Sequence, residues 1–249
     1  VVDEAQDFGM RAFKLLRTLV DEGKNDLFIV GDAHQRIYGH KVVLGQCEIN
    51  VRGRSKKLKL NYRTTDEIRK WAVALFNGEN IDDLDEGTDS NRDYKSLYNG
   101  PKPEVKNFET FDEEVTYIHQ YIENIKKTDN ESKICLVVRT QKLVDVYSDY
   151  FSKSNMKTIK ISRNSKDDLS NTDVRIATMH RVKGLDFDHV IIASMNKGIV
   201  PLETIEKSDE DLINSENLQK EKSLVFVAAT RAKKSLLVTS YGITSEILR

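Results

Sequence analysis

Short apolar runs alternate along this chain with segments whose apolar residues recur at helical spacing, and that alternation constrains the fold more than any other feature. The runs at 27–32 (LFIVGD), 57–62 (KLKLNY), 104–110, 133–138, 157–162, 173–178, 189–194 and 235–240 read as strands. Helical spacing appears at 11–20, 65–76, 113–125, 143–151 and 217–232, the second opening with Thr64 or Thr65 as cap and Asp66 and Glu67 in its first turn. Strands that are apolar throughout and separated by helices predict an α/β fold, a parallel sheet covered by helices on both faces.

Charge excludes little by itself. Lys and Arg total 39 against 40 for Asp and Glu, so any nucleic-acid partner must be read from local patches. Residues 52–70 are rich in Arg and Lys and can face phosphate, or be ordinary surface; residues 79–93 are rich in Asp and Glu and read as a solvated loop. Cys47 and Cys135 lie far apart with no Cys-x-x-Cys, which predicts neither a disulfide framework nor a zinc site and fits a reducing cytoplasm. No apolar stretch approaches the roughly 18 to 20 residues of a membrane span, so a cytoplasmic protein with no membrane partner is expected. The chain opens on Val1 and Val2 rather than Met and runs at once into Asp3 and Glu4, which reads as the end of a buried strand in the C-terminal part of a longer protein.

Asp-Glu occurs six times, so only context separates Asp3 and Glu4 from the rest. At the carboxyl end of a parallel strand, where ligand crevices form, Asp3 can hold magnesium through its water shell and Glu4 can accept a proton from water; either can equally cap a helix. Gln35, in the turn after the 27–32 run, can reach a terminal phosphate or be a solvated turn residue. Tyr62 and Arg63 offer a flat ring for a base and a cation for phosphate. Thr178, His180, Lys183 and Gly184 lie between two apolar runs, in a loop suited to a phosphodiester backbone. Thr230, Arg231, Lys233 and Lys234 end the last helical segment, and for the two lysines the helix dipole is sufficient explanation.

Taken together, VVDEAQD, VGDAHQRIYG, LNYRTT, IATMHRVKGLDF and VFVAATRAK resemble, in order, the successive motifs of superfamily 1 helicases of the UvrD/Rep type. The resemblance covers nearly the whole chain and implies a RecA-like fold: residues 1–56 as the end of a first, ATP-binding domain and 57–249 as a complete second domain. It implies ATP and Mg2+ as ligands of the full-length parent and single-stranded DNA, or else RNA, as partner. Asp3 then corresponds to the magnesium-linked acid, Glu4 to the general base, and Gln35 to the γ-phosphate sensor. Arg63 and Arg231 correspond to arginines that stabilise phosphoryl transfer, where losing one costs about 10³ to 10⁵ in rate. Tyr62 corresponds to the residue that stacks on adenine, Gly184 lies in the nucleotide-side loop, and Asp186 stands where the family more often has Glu near the ribose. Thr178 and His180 match positions that touch the strand.

Three departures qualify that likeness. No G-x-x-x-x-G-K-[ST] occurs among the 249 residues, so the chain alone is expected not to hydrolyse ATP. Where the family has an aromatic residue and an Arg after the tyrosine, Gly39 is followed by His40 and Lys41, which are expected to meet the strand there. Only 114 residues separate Arg63 from Thr178, which predicts little or no accessory insertion and a compact second domain. The other function class open to such a chain is a nucleotide-responsive nucleic-acid-binding or regulatory module that does not unwind.

Overall fold

In the computed structural model the alternating pattern forms a six-stranded, fully parallel sheet with helices packed against it. The structure describes all residues except 39–40, 79–80, 83–86, 90–93, 163–170, 204–210 and 249. It divides into two compact units, one of Val1–Leu60 with Phe76–Tyr94 and one of Asn61–Leu75 with Lys95–Arg249.

The larger unit holds the sheet. Its strands are β1 (Glu104–Phe108), β2 (Ile134–Val138), β3 (Thr158–Lys160), β4 (Val174–Thr178), β5 (Phe187–Ile192) and β6 (Ala232–Tyr241), arranged in the order β1-β6-β5-β2-β4-β3. The central strand β2 is buried along its whole length, as expected of a strand covered on both faces. The helices of this unit are α2 (Asp66–Ala74), α3 (Phe111–Thr128), α4 (Gln141–Lys153) and α5 (Asp211–Ala229). Threonine begins three of them: Thr65 accepts from the Ile68 amide, Thr110 from Glu113 and Thr140 from Leu143, each satisfying an amide that the helix cannot. The core joins Val115, Ile118 and Ile122 of α3 and Val144, Tyr147 and Phe151 of α4 to strand residues such as Leu136, Ile176 and Ile191.

One polar network lies within that core. Glu114 is fully buried; it accepts from the Ser194 amide at 3.0 Å and from the Tyr147 hydroxyl at 2.7 Å. Burial, and then the Glu114 charge, push the Tyr147 pKa well above its ordinary value, so the phenol stays a donor. The network ties α3 and α4 to the carboxyl end of β5, where Ser194 has a left-handed φ of 57°.

The smaller unit is built around α1 (Met10–Leu19) and a small core of Val2, Ala5, Phe13, Val42, Leu44, Cys47 and Ile49. Here the expected strand at 27–32 is limited to a single parallel bridge, Val2 to Ile29. The expected strand at 57–62 is limited to Leu60–Asn61; residues 54–60 are exposed throughout and bury no face. The helix expected to reach residue 232 stops at Ala229, and β6 begins at Ala232, so Lys233 and Lys234 belong to a strand rather than to a helix terminus.

Candidate functional site

In the smaller unit, two chain segments meet through one buried glutamine. The amide of Val2 donates to Phe28 and that of Val30 to Val2, which sets the two strand ends side by side. Beyond them Gln6, 2% exposed, donates through Nε2 to Glu4 Oε2 at 2.5 Å and accepts from the Asp32 amide at 3.0 Å. Asp32 in turn accepts from the Gln35 side chain at 2.9 Å and from the amide and ring of His34 at 3.0 and 3.1 Å. Burial pushes the Asp32 pKa up, but the bonds and charge from His34, with the Gln35 bond, outweigh it and hold the carboxyl below its ordinary value. The result is a continuous relay, Glu4–Gln6–Asp32–Gln35, that fixes a carboxylate and an amide on neighbouring segment ends. Glu4 adopts a left-handed backbone (φ 52°), uncommon for a residue with a side chain. It therefore precedes the short Ala5–Asp7 helical turn without capping it through its side chain, and the capping reading of Glu4 is not realised.

Asp3 is exposed, with Oδ1 accepting from the Glu4 amide at 2.8 Å. One open carboxylate suits magnesium, which keeps most of its waters and takes few protein ligands beside phosphate oxygens. Among the described residues no group of three or more acidic, His or Cys side chains forms a closed cage for a metal ion.

The larger unit carries two further clusters, at opposite ends of its sheet. At the amino ends, Phe187 of β5 pairs with Ala232 of β6, which brings Asp186 and Lys233 together just before and after that pair. Arg63 Nε lies 3.0 Å from Asp186 Oδ1, and Lys233 Nζ lies 3.4 Å from Asp186 Oδ2. The approach of Arg63 is set locally: Asn61 accepts from the amides of Arg63 and Thr64, making a tight turn before α2. Gly100 sits between Thr65 and the Lys234 carbonyl, where a Cβ would come within 2.6 Å of the Thr65 methyl. Tyr62 is 67% exposed beside this cluster in sequence.

At the carboxyl ends, Val138 of β2 pairs with Thr178 of β4, and the Met179 amide donates to the Val138 carbonyl. That register sets Arg139 near His180. Arg139 makes a two-point contact with Glu221 of α5, Nε to Oε2 at 2.9 Å and Nη2 to Oε1 at 2.6 Å. The side chains are 12% and 4% exposed. Burial, and then the Arg139 charge, pull the His180 pKa below its ordinary value against a smaller pull from Glu221. The shift favours the neutral imidazole.

Residues 56–165 and 157–242 match the model of the UvrD-like helicase C-terminal domain, and residues 1–43 match that of the UvrD/REP helicase N-terminal domain. The chain belongs to the UvrD-like helicase family. A 66-residue stretch is 39% identical to the ATP-dependent DNA helicase Rep of Buchnera aphidicola, covering 26% of this chain and 9% of that protein. Over 261 aligned positions the chain is 22% identical to a probable DNA helicase of Mycoplasma pneumoniae, covering 98% of this chain and 44% of the relative. The chain thus spans less than half the length of these relatives. In fold it is similar to the C-terminal domain of a possible DNA helicase from Lactobacillus plantarum WCFS1, with a TM-score of 0.53 at 16% identity over 75% of this chain and 91% of that one.

Within this UvrD-like frame, the structure joins Arg63 to Asp186 in one cluster and sets Thr178 beside His180 in another. Arg231 is 2% exposed and turned back on the end of α5, its Nε donating to the Val227 carbonyl at 3.2 Å. Gly184 has a φ of +83° and no atom within 4 Å of where a Cβ would stand, so its glycine serves the backbone turn rather than close packing. Lys41 is exposed, and His40 lies outside the described residues. Gln6, Asp32, Arg139 and Glu221 were given no role in the sequence reading, and Lys233 was assigned to a helix terminus. Only the partner of each reveals it, and no spacing rule connects Arg139 to Glu221 or Gln6 to Asp32. Among the described residues no helix is long and apolar enough to cross a membrane.

Proposed function

We propose that this chain is the C-terminal part of an ATP-dependent translocase that moves on single-stranded DNA. In this reading residues 1–56 finish a first RecA-like domain and residues 57–249 form the second, with Phe76–Tyr94 lying in the smaller compact unit. The observation that carries the proposal is the Glu4–Gln6–Asp32–Gln35 relay. A general base and a γ-phosphate sensor must respond to the same phosphate, and this relay fixes Glu4 and Gln35 relative to each other through one buried amide. The exposed apolar residues Val1, Leu15, Leu19, Phe28 and Val30 of the smaller unit are consistent with a larger first domain covering them.

Glu4 takes the proton of the attacking water and Gln35 orients that water. Asp3 would hold Mg2+, which when bound would offset charge on the phosphates. Tyr62 stacks on the adenine. Arg63 and Arg231 counter the charge that builds on the transferred group, Arg231 after turning out from the end of α5. Thr178 and His180, with His40 and Lys41, meet the strand backbone, and His180, its neutral form favoured, contributes a hydrogen bond there rather than a charge. Lacking the phosphate-binding loop, the 249-residue chain by itself should turn over no ATP.

The test uses a longer protein in which this chain is preceded by its phosphate-binding loop. Glu4→Gln preserves shape and removes the base, so ATP and strand binding persist while strand-stimulated turnover falls by orders of magnitude. Unchanged turnover would make Glu4 a structural residue and favour the non-unwinding binding module.

A further inference from the structure

The amino-end cluster holds two cations on one carboxylate and leaves most of their donors unused. Arg63 Nε lies 3.0 Å from Asp186 Oδ1 without making a hydrogen bond to it, and neither Nη carries a hydrogen bond among the described residues. Lys233 makes one contact, also to Asp186, at 3.4 Å. Other lysines at the same end of the sheet are far better satisfied. Lys126 places its ammonium on the carbonyls of Asn130, Ser132 and Thr172 at 3.0, 2.9 and 2.7 Å, and Lys234 is shared by Asp129 and Asp188. Arg63 and Lys233 are each 46% exposed, and Asp186 is 35% exposed. Two positive groups against one negative group leave the cluster with an excess of positive charge, aimed from two chain segments at one point.

We infer that Asp186 is a displaceable counter-ion, which keeps Arg63 and Lys233 together in the empty chain and gives both up to the phosphates of an incoming polyphosphate. The inference rests on the reading of Arg63 as a phosphate ligand, and it adds Lys233 as a second phosphate cation and Asp186 as an opponent of binding. An Arg fork drawn to a carboxylate by charge is pre-positioned, and its Nη pair, which carries no hydrogen bond among the described residues, can still take two phosphate oxygens. A partly solvated pair of this kind is weak enough for a polyanion to replace. Asp186 is a positioning residue in this account, because it touches the cations and not the ligand.

The probe is inorganic tripolyphosphate, titrated calorimetrically into the 249-residue chain at low ionic strength. Asp186→Asn should bind it about threefold to tenfold more tightly than the natural chain, since the competing carboxylate is gone. Lys233→Met should bind it at least about threefold more weakly. In the unsubstituted chain the Arg63 Nε–H resonance should move during the titration, a readout that needs no variant to fold. Two results would overturn the inference: tripolyphosphate affinity that is equal or lower in Asp186→Asn, and no binding at millimolar concentration by any form. An unchanged tripolyphosphate affinity with an ATP affinity that drops in Asp186→Asn would make Asp186 a ribose ligand. None of these results bears on Glu4, so collapse of turnover in Glu4→Gln alongside any of them would leave the motor reading standing and remove only the counter-ion.

Discussion

The two ends of one sheet hold arginines in opposite ways. At the carboxyl ends Arg139 is gripped at two points by Glu221, both side chains mostly buried; at the amino ends Arg63 lies 3.0 Å from Asp186 with no hydrogen bond between them, both side chains partly exposed. A buried two-point pair has already given up its water and fixes geometry, whereas a partly exposed pair has given up little and can be traded for another anion. The first arrangement suits a residue that sets the environment of its neighbour, here His180, and the second suits a residue that must reach a ligand. The comparison therefore predicts that substitutions at the two ends differ in kind as well as in size.

The largest effect should come from Glu221→Gln. It leaves the Arg139 guanidinium mostly buried beside a neutral amide, and breaking a buried pair from one side costs about 3 to 5 kcal/mol. Urea denaturation should show the loss directly. The same substitution removes the group that raises the His180 pKa, so the imidazole should titrate lower still. A loss under about 1 kcal/mol would mean that the grip of Glu221 on Arg139 is no tighter in effect than a surface pair, and the contrast between the two ends would fail.

That contrast was invisible in the sequence, although the sheet that frames it was not. The runs at 133–138 and 173–178 are rich in apolar residues and became the neighbouring strands β2 and β4, because burial on both faces leaves a mark in residue type, although β4 also buries Arg175. The run at 27–32 carries the same mark, yet it forms a bridge of one residue, since a strand needs a partner as well as an apolar run. Motif residues could be nominated from the sequence because Asp3, Glu4, Gln35 and Arg63 lie in contiguous blocks. Gln6 was printed inside such a block, but its function depends on Asp32, 26 residues away, and no periodicity encodes that contact. Lys233 was misread outright. Its place after an apolar helical run implied a helix terminus, whereas the chain had already turned into β6 and set it against Asp186.

A smaller effect should follow pH. The folded pKa of His180 lies below the unfolded value of about 6.5, so as pH falls the unfolded chain takes up a proton first. The contribution of this group to stability is complete above about pH 6.5 and is lost as pH falls through the lowered folded pKa. His189, whose pKa is also pulled down by burial, acts in the same direction. Urea midpoints should therefore be lower at pH 5.5 than at pH 7.5, and His180→Gln, which stays neutral, should shrink the difference. A drop of the same size in His180→Gln would mean that the proton goes elsewhere.

The smallest effect should be that of Asp186→Asn on stability. Asp186 meets two cations, so counting pairs would make it as important as Glu221. Its contacts join partly exposed side chains, lack a hydrogen bond on Oδ1 and are in one case 3.4 Å long, and such pairs are worth about 0 to 1 kcal/mol each and are screened by salt. Losing the carboxylate also leaves Arg63 and Lys233 facing each other, but both are exposed enough to move apart into water. The expected change is therefore within about 1 kcal/mol in dilute buffer, shrinking further in 0.5 M salt, as read from urea curves of the natural and substituted chains. A loss as large as that of Glu221→Gln would show that Asp186 is part of the framework. An anion that must leave when a ligand arrives cannot also hold the sheet together, so that single measurement would remove the physical basis for treating the amino-end cluster as the yielding one.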